Sequence, residues 1–258
     1  CMITKFIKRI LRRDPMDRHT QANNTGAPKR IAKKSHRIDP HLLSKNAVKV
    51  TDTLQQAGYE AFIVGGAVRD LALGISPKDF DVATNATPEQ VQRLFRKARL
   101  IGRRFQIVHV TFFGKGHPEI IEVSTFRALL DNAGDHVAES GRILRDNVWG
   151  SQGEDAARRD FSINAMYYDP STETVLDYHG GMADMQKKTL RMIGDPAKRY
   201  REDPVRMLRA IRFAAKTGFT LDSATRAPIA QLGKLLQDVP SARLFDEILK
   251  LLMSGYSW

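Results

Sequence analysis

The sequence is short of cysteine and has no long apolar run. Its single cysteine, Cys1, excludes an intrachain disulfide framework and a cysteine-based zinc site. A lone thiol is compatible with a reducing compartment, so we expect a cytoplasmic protein. No apolar stretch approaches the ~20 residues that a membrane-spanning helix needs.

Acidic residues are also scarce relative to basic ones. The 258 residues include 41 lysines and arginines against 29 acids, which gives a formal net charge of +12 and a sequence pI near 9.9. This imbalance favours a polyanionic partner, nucleic acid before membrane. The alternative is a basic surface that only keeps the protein soluble. A chain of this length can bury a real core in one large domain or two smaller ones.

Residues 1–43 are predicted to form a basic, flexible N-terminal arm. Between Ile3 and Leu11, apolar residues recur at helical spacing among lysines and arginines. This pattern predicts a short amphipathic helix that could lie on RNA or make peripheral contact with an anionic membrane. A second basic cluster is either solvated charge or a source of RNA affinity that is independent of sequence. It consists of Lys29, Arg30, Lys33, Lys34 and Arg37.

A strand-like run over residues 61–64 leads directly into two glycines, Gly65 and Gly66. Paired glycines allow backbone N–H groups to approach a phosphate closely. Arg69, in the short helical segment that follows, has a forked set of donors for phosphate oxygens. The segment therefore predicts a phosphate-binding turn.

Two acids, Asp79 and Asp81, follow in a second strand-like run. Alternate residues of a strand share a face, so the two carboxylates should point the same way while Phe80 and Val82 point into a core. Neighbouring carboxylates raise each other's pKa unless a cation lies between them. Mg²⁺ suits them, because it takes few protein ligands and completes its shell with water and substrate phosphates.

These segments resemble the head domain of the class II nucleotidyltransferases, the branch that holds bacterial poly(A) polymerases and CCA-adding enzymes. The GGAVRD and DFD sequences within residues 65–81 match the family pattern. RRDFSINA at residues 158–165 matches a second motif, with Ser162 where threonine is common. EDPVR at residues 202–206 matches the EDxxR motif. Residues 101–110 are similar to a signature that separates poly(A) polymerases from CCA-adding enzymes.

The resemblance implies roles for particular residues. Asp79 and Asp81 would hold two Mg²⁺ ions, with Asp160 or Glu122 as a further catalytic acid; for Glu122 the alternative is an exposed strand glutamate. One ion would lower the pKa of an RNA 3′-hydroxyl and the other would neutralise the α-phosphate and the leaving pyrophosphate. The motifs, together with an arginine stripe on the helix after EDPVR, assign nucleotide binding to Gly65, Gly66, Arg69, Arg159, Asp203, Arg206, Arg209 and Arg212.

The EDxxR resemblance places Asp203 and Arg206 against the edge of the incoming base. An aspartate accepts hydrogen bonds and an arginine only donates them. Adenine and cytosine present an amino donor beside a ring-nitrogen acceptor, whereas uracil and guanine present the reverse pattern. The pair therefore favours ATP and CTP over UTP and GTP, and leaves the choice between ATP and CTP open.

The predicted fold is α+β: a nucleotidyltransferase head over residues 44–180, with a mixed sheet flanked by helices, followed by an all-helical neck over residues 181–258. Strands are expected near residues 99–102, 106–113, 119–125, 164–169 and 175–178. A helix from Ser44 to Gly58 should bury Ala47, Val50, Leu54 and Ala57. Another should begin with Asp203 as its cap and end at Gly218.

The function that these predictions favour is template-independent addition of adenosine from ATP to RNA 3′ ends, with release of pyrophosphate, in RNA processing and decay. The partners would be RNA and ATP, and no DNA is expected. Two alternatives stay open: a CCA-adding enzyme, which shares the catalytic motifs, and an RNA-binding module whose head has lost catalysis.

Overall fold

The structure is a computed structural model that describes residues 26–102, 106–114, 117–128 and 148–253. Its main feature is an eight-stranded sheet with the strand order β1-β8-β7-β2-β3-β6-β5-β4, beside a separate pair, β9 and β10. The strands are β1 (Lys29–Ile31), β2 (Ala61–Val64), β3 (Asp81–Thr84), β4 (Ala98–Ile101), β5 (Ile107–Phe112), β6 (Glu119–Thr125), β7 (Met166–Asp169), β8 (Thr174–Asp177), β9 (Thr189–Leu190) and β10 (Thr220–Leu221).

The large sheet is mixed, as predicted. β2 is antiparallel to β3 on one side and to β7 on the other, while β3 and β6 are parallel. β5 pairs with β6 and with β4 in antiparallel fashion. β7 and β8 are antiparallel neighbours and correspond to the strands expected near residues 164–169 and 175–178. The α+β head with a mixed sheet is therefore confirmed.

The two faces of the sheet differ in what they carry. Ile63 and Val82 are paired across β2 and β3 and lie in the main core. The next pair along, Val64 and Asp81, must point to the opposite face because side chains alternate along a strand. Glu122 of β6 is opposite Asp81 and shares that face. Two acids of the predicted site, Asp81 and Glu122, thus share one face of the sheet.

Helices flank the sheet and follow it. Ser44 caps α2 through hydrogen bonds from two backbone amides, and Thr87 and Gln90 form the capping box of α4. α2 ends at Gln56, so Ala57 is exposed, and its predicted burial is wrong. The helices are α1 (Lys33–His36), α2 (Lys45–Gln56), α3 (Gly66–Ala72), α4 (Pro88–Leu94), α5 (Gln152–Arg158), α6 (Gly181–Gln186), α7 (Pro196–Glu202), α8 (Val205–Thr217), α9 (Ser223–Leu232) and α10 (Ser241–Leu252).

The prediction of a flexible arm is wrong for its later part. β1 adds to the edge of the sheet beside β8, and α1 follows it. His36, at the end of α1, is buried, hydrogen-bonds the backbone oxygen of Glu173 at 2.8 Å and packs edge-on against Tyr168. The amphipathic helix predicted between Ile3 and Leu11, and with it the membrane contact, lies outside the described residues.

The predicted all-helical neck needs two corrections. It contains the short parallel pair β9 and β10, and it contains α7, which the sequence analysis did not predict. Asp203 ends α7 and does not cap α8, whose first turn is preceded by Pro204 without a side-chain cap. Gly218 ends α8 in the left-handed conformation, as expected. Among the described residues, no helix is both long enough and apolar enough to cross a membrane.

Candidate active site

A cavity of about 790 Å³ lies where the glycine turn, the start of β3 and the helices α8 and α10 come together. It is strongly charged, with nine basic and seven acidic residues in its lining. Of the twelve residues assigned from the sequence, Glu122 does not line it. The eleven that do are Gly65, Gly66, Arg69, Asp79, Asp81, Arg159, Asp160, Asp203, Arg206, Arg209 and Arg212.

Gly65 makes the turn between β2 and α3. Its φ of 72° and ψ of −131° suit glycine and strain any other residue. A Cβ atom at this position would lie 3.5 Å from Arg159 Nη1 and 3.8 Å from Asp81 Oδ2. The turn therefore brings bare backbone against both a cation and a carboxylate of the cavity.

Asp81 is the acid most affected by its surroundings. Burial, followed by the negative charges of Glu122 and Asp79, raises its pKa to about 6, against a lowering effect of Arg159. A bound cation would relieve this crowding of negative charge, so the donor set fits Mg²⁺. Asp79 is exposed and precedes β3, which begins at Asp81. Strand alternation is thus not what places Asp79, although both acids line the cavity.

Glu122 stands apart from the other assigned residues. Its side chain is 51% exposed, and one carboxylate oxygen lies 3.4 Å from His109 Nε2 on the neighbouring strand. Within the described part of the chain, no three acids, histidines or cysteines form a metal-binding group. Two carboxylates are nevertheless enough for Mg²⁺ when substrate phosphates complete its shell.

Arg159 is held by two residues that the sequence analysis missed. Asp155 Oδ2 accepts hydrogen bonds from its Nε and Nη2 at 3.2 and 3.0 Å, and the Tyr167 hydroxyl contacts its Nε at 3.1 Å. Burial alone would lower the pKa of Arg159, but Tyr167 and Asp155 raise it above its ordinary value. Asp155 lies one helical turn before Arg159, a spacing that could have revealed it. Tyr167 had no comparable signal.

Arg69 is buried, and this corrects the idea that it reaches directly into the site. Its Nε and Nη2 contact Asp70 Oδ1 at 2.8 and 2.7 Å, and its Nη1 donates to Asn164 Oδ1 at 2.6 Å. The guanidinium also lies 5.2 Å from the centre of the Phe213 ring. All three nitrogens thus have partners within the protein, so Arg69 supports the cavity wall beneath Gly66.

Asp160 joins the head to α8. Arg209 donates two charge-assisted hydrogen bonds to the same oxygen of Asp160, Oδ2, from Nε at 2.8 Å and from Nη2 at 2.5 Å. Burial would raise the pKa of Asp160, but Arg209 and hydrogen bonds from Asn164 and the Phe161 amide lower it to about 2. Asp160 therefore holds Arg209 in place.

Arg209 and Arg212 line the cavity, with Phe213 between them. Arg212 lies 4.3 Å from the centre of the Phe213 ring. Glu247 of α10, which is nearly buried, accepts from Arg212 Nε at 2.8 Å and contacts Arg209 at 3.5 Å. No sequence pattern pointed to Glu247, because it lies 35 residues beyond Arg212.

Asp203 and Arg206 both line the cavity, but they do not bind each other. Arg243 contacts Asp203 Oδ2 at 3.1 Å, and the buried Oδ1 has no hydrogen-bond partner among the described residues. Arg206 Nη1 donates to Glu202 at 3.2 Å and to the Arg199 backbone oxygen at 3.0 Å. Asp203 thus keeps one acceptor free, and only one arm of Arg206 is engaged.

Comparison with known proteins identifies the family. A family model of the poly(A) polymerase head domain matches residues 61–191. A second model, described as a probable RNA- and SrmB-binding site of polymerase A, matches residues 218–258. Poly(A) polymerase I of Escherichia coli O6:H1 is 50% identical over 261 aligned residues, which cover 99% of this chain and 55% of the relative. The chain belongs to the family of poly(A) polymerases and CCA-adding enzymes.

Both branches of this family are represented among the matches. Poly(A) polymerase I of Haemophilus influenzae is 52% identical, with 84% of this chain and 48% of the relative covered. A CCA-adding enzyme of Bacillus pumilus is 38% identical, with 82% and 50% covered. The crystal structure of the Bacillus stearothermophilus CCA-adding enzyme in complex with CTP has a TM-score of 0.69 at 36% identity, covering 80% of this chain and 47% of that one. The chain spans about half the length of these relatives.

The resemblance stated from the sequence is therefore confirmed, and the higher identity lies with the poly(A) polymerases. The signature at residues 101–110 contributes nothing structural to this choice, because residues 103–105 lie outside the described part of the chain.

Proposed function

We propose that this chain carries the catalytic head and neck of a template-independent RNA nucleotidyltransferase that adds adenosine from ATP to RNA 3′ ends and releases pyrophosphate. The observation that carries the proposal is the convergence of the glycine turn, Asp79, Asp81 and six arginines on one cavity. The 50% identity to poly(A) polymerase I supports ATP as the substrate.

The triphosphate would lie between the glycine turn and Arg159. Gly65 leaves the backbone open beside Arg159 Nη1, and Asp155 and Tyr167 hold the guanidinium in place. Arg209 and Arg212 of α8 add positive charge to the lining of the same cavity. Because Arg69 is fully paired, its role would be to fix the wall beneath Gly66.

Asp79 and Asp81 would hold Mg²⁺, in keeping with the two ions that the resemblance implies. When bound, the metal would lower the pKa of the RNA 3′-hydroxyl and stabilise negative charge on the phosphates. Glu122 faces the same side as Asp81 and raises its pKa, so it would strengthen the cation's attraction to this point. Asp160 would act through Arg209.

Asp203 and Arg206 would read the base. The free Oδ1 of Asp203 can accept a hydrogen bond from the amino group of adenine, while Arg206 can donate a hydrogen bond to the neighbouring ring nitrogen. Cytosine offers the same pattern, and CCA-adding enzymes match this chain at lower identity. CCA addition is thus the second candidate function. The intact acids favour either enzyme over a module that has lost catalysis.

The proposed division of the chain is a catalytic head over residues 44–180 and a nucleotide- and RNA-binding neck over residues 181–258. The match of separate family models to residues 61–191 and 218–258 supports a boundary between them. Residues 29–43 would now count with the head, because β1 joins its sheet.

The test is incorporation of each nucleoside triphosphate, supplied singly, into a generic RNA primer and into a tRNA that lacks its CCA end. We expect repeated addition of A to the generic primer and little incorporation of C, G or U. Efficient C addition restricted to the tRNA would assign the chain to the CCA-adding branch. No incorporation on either RNA, by protein whose fold is verified by circular dichroism, would contradict both enzyme functions.

A further inference from the structure

A second cavity, of about 300 Å³, lies on the sheet face that also carries Asp81. Phe62 of β2 points to this face because it alternates with Ile63, which lies in the main core. Tyr178, which follows β8, and Gln152, at the start of α5, complete its inner wall. None of these side chains has a part in the nucleotide site described above.

The inner wall contains an unused hydrogen-bond donor. Gln152 is only 9% exposed, and its Oε1 accepts from the Tyr178 hydroxyl at 2.8 Å. Its Nε2 has no hydrogen-bond partner among the described residues. A buried amide without an acceptor is unfavourable, so an acceptor on a bound molecule would satisfy it.

The rim of this cavity combines aromatic surface with both signs of charge. Phe62 and Tyr178 are half-buried, and both rings pack edge-on against Tyr167. Burial and the Glu60 carboxylate raise the pKa of Tyr178, whereas Arg30 lowers it, so both charges act close to its hydroxyl. Glu60 and Arg30 also line the cavity. A planar group with both donors and acceptors fits these walls.

Exposed basic residues form a strip at the sheet edge, on β1 and in and just after α1. We define it as Lys29, Arg30, Lys34 and Arg37, all exposed and, within the described ranges, without an ion-pair partner. The neighbouring Lys33 differs, because it lies 2.5 Å from Glu173. Arg30 faces the cavity because it alternates with Ile31 of the main core, whereas Lys29 points to the opposite face. The pairing of β1 with β8 fixes the backbone of Lys29 and Arg30, and the buried His36 anchors α1, which carries Lys34.

We propose that the second cavity binds one adenine base of single-stranded RNA while the basic strip binds the adjoining phosphates. This rests on the proposed function, because it makes the growing tail a ligand of the head. Adenine offers an amino donor to Glu60 and a ring nitrogen to Gln152, while aromatic faces accept any base by stacking. Uracil lacks the amino donor. Phosphates are attracted to unpaired cations without regard to sequence.

Binding is measured by fluorescence anisotropy with labelled oligo(A) and oligo(U), without ATP and with EDTA, so that the result does not depend on catalysis. The triple variant Arg30→Ala/Lys34→Ala/Arg37→Ala removes strip charge. Its matched control, Arg93→Ala/Arg96→Ala/Arg99→Ala, removes three exposed arginines beside β4, at the opposite edge of the sheet. Gln152→Leu removes the buried amide at nearly constant size. Thermal melts verify the fold of each variant.

We expect the strip variant to bind both RNAs at least tenfold more weakly and to reduce the slope of log K against log salt by about 2, the value for three phosphate contacts on single strands. The control should bind like the parent. Gln152→Leu should reduce the preference for oligo(A) over oligo(U) about tenfold with an unchanged salt slope. Equal losses in strip and control variants would overturn the RNA surface. An unchanged oligo(A) preference in Gln152→Leu would overturn the base site.

Discussion

At the scale of single residues, the charges of the cavity are set by their neighbours in opposite ways. Asp160 is stabilised as an anion by Arg209, and its pKa falls to about 2. Asp81 is destabilised as an anion by burial, Glu122 and Asp79, and its pKa rises to about 6. The ionised carboxylate of Asp160 therefore stabilises the fold, whereas ionisation of Asp81 destabilises it.

Asp160 should make the free energy of unfolding depend on pH in the acid range. Its pKa in the folded state is below the ordinary value of 3.8, so its contribution is fully present above about pH 4 and is lost as pH falls towards 2. The shift corresponds to about 2 kcal/mol of unfolding free energy. Urea unfolding of the parent and of Asp160→Asn at pH 7 and pH 3 measures it. The parent should lose more stability between these pH values than the variant, and identical losses would contradict this assignment.

Asp81 should change the free energy of unfolding with pH in the opposite direction to Asp160. Its pKa in the folded state is raised, so the free energy of unfolding is reduced as pH rises through about 6 and the carboxylate ionises. We expect Asp81→Asn to stabilise the protein at pH 7.5 in EDTA by roughly 1–3 kcal/mol, after allowance for partial exposure. Thermal melts at pH 7.5 and pH 4.5 test this. A variant that is no more stable than the parent at the higher pH would show that the surroundings of Asp81 do not disfavour its ionised form.

At the scale of elements, the glycine turn before α3 is the clearest case of backbone conformation serving the site. Gly65→Ala should lose about 1–3 kcal/mol of stability from the positive φ and should also place a methyl group beside Arg159 and Asp81. The control is Gly74→Ala, at φ 73° with open space around it. Both variants should melt earlier, but only Gly65→Ala should lose ATP incorporation. Equal activity in the two would argue against close approach of substrate at this turn.

The sequence predicted elements best where the pattern was local. The strand before Gly65, the helix after Ser44 and the strands β7 and β8 all depend on patterns of nearby residues, and all of them are present. α7 was missed although Asp195 caps it and Pro196 opens it, a local signal of the kind that was used at Asp203. β1 was missed because its three residues gain their stability from a distant strand, as Lys29 does by pairing with Asp177. The same limit applies to the site. Eleven of the twelve residues that were assigned from the sequence line the cavity, whereas the contacts of Tyr167 and Glu247 become visible only in the folded chain.

At the scale of the whole molecule, α10 closes one wall of the cavity through Glu247. The carboxylate is bound by Arg209 and Arg212, so Glu247→Gln should weaken the docking of α10 by about 1–2 kcal/mol, less than for a fully buried pair because Arg209 is a third exposed. Glu89→Gln, on the exposed face of α4, is the matched control. Urea unfolding compares the two. A loss of stability no larger than that of the control would show that the ion pairs of Glu247 do not stabilise the packing of α10 against α8.

The central claim is that Asp79 and Asp81 make this cavity an active site for nucleotidyl transfer. Its most direct test is magnesium-dependent release of pyrophosphate from ATP in the presence of an RNA primer, for the parent, Asp79→Asn, Asp81→Asn and the exposed control Asp238→Asn. The account predicts release by the parent and Asp238→Asn that EDTA abolishes, and a loss of at least a thousandfold in each site variant while the fold is retained. Pyrophosphate release at the parental rate by a folded Asp81→Asn protein would contradict it.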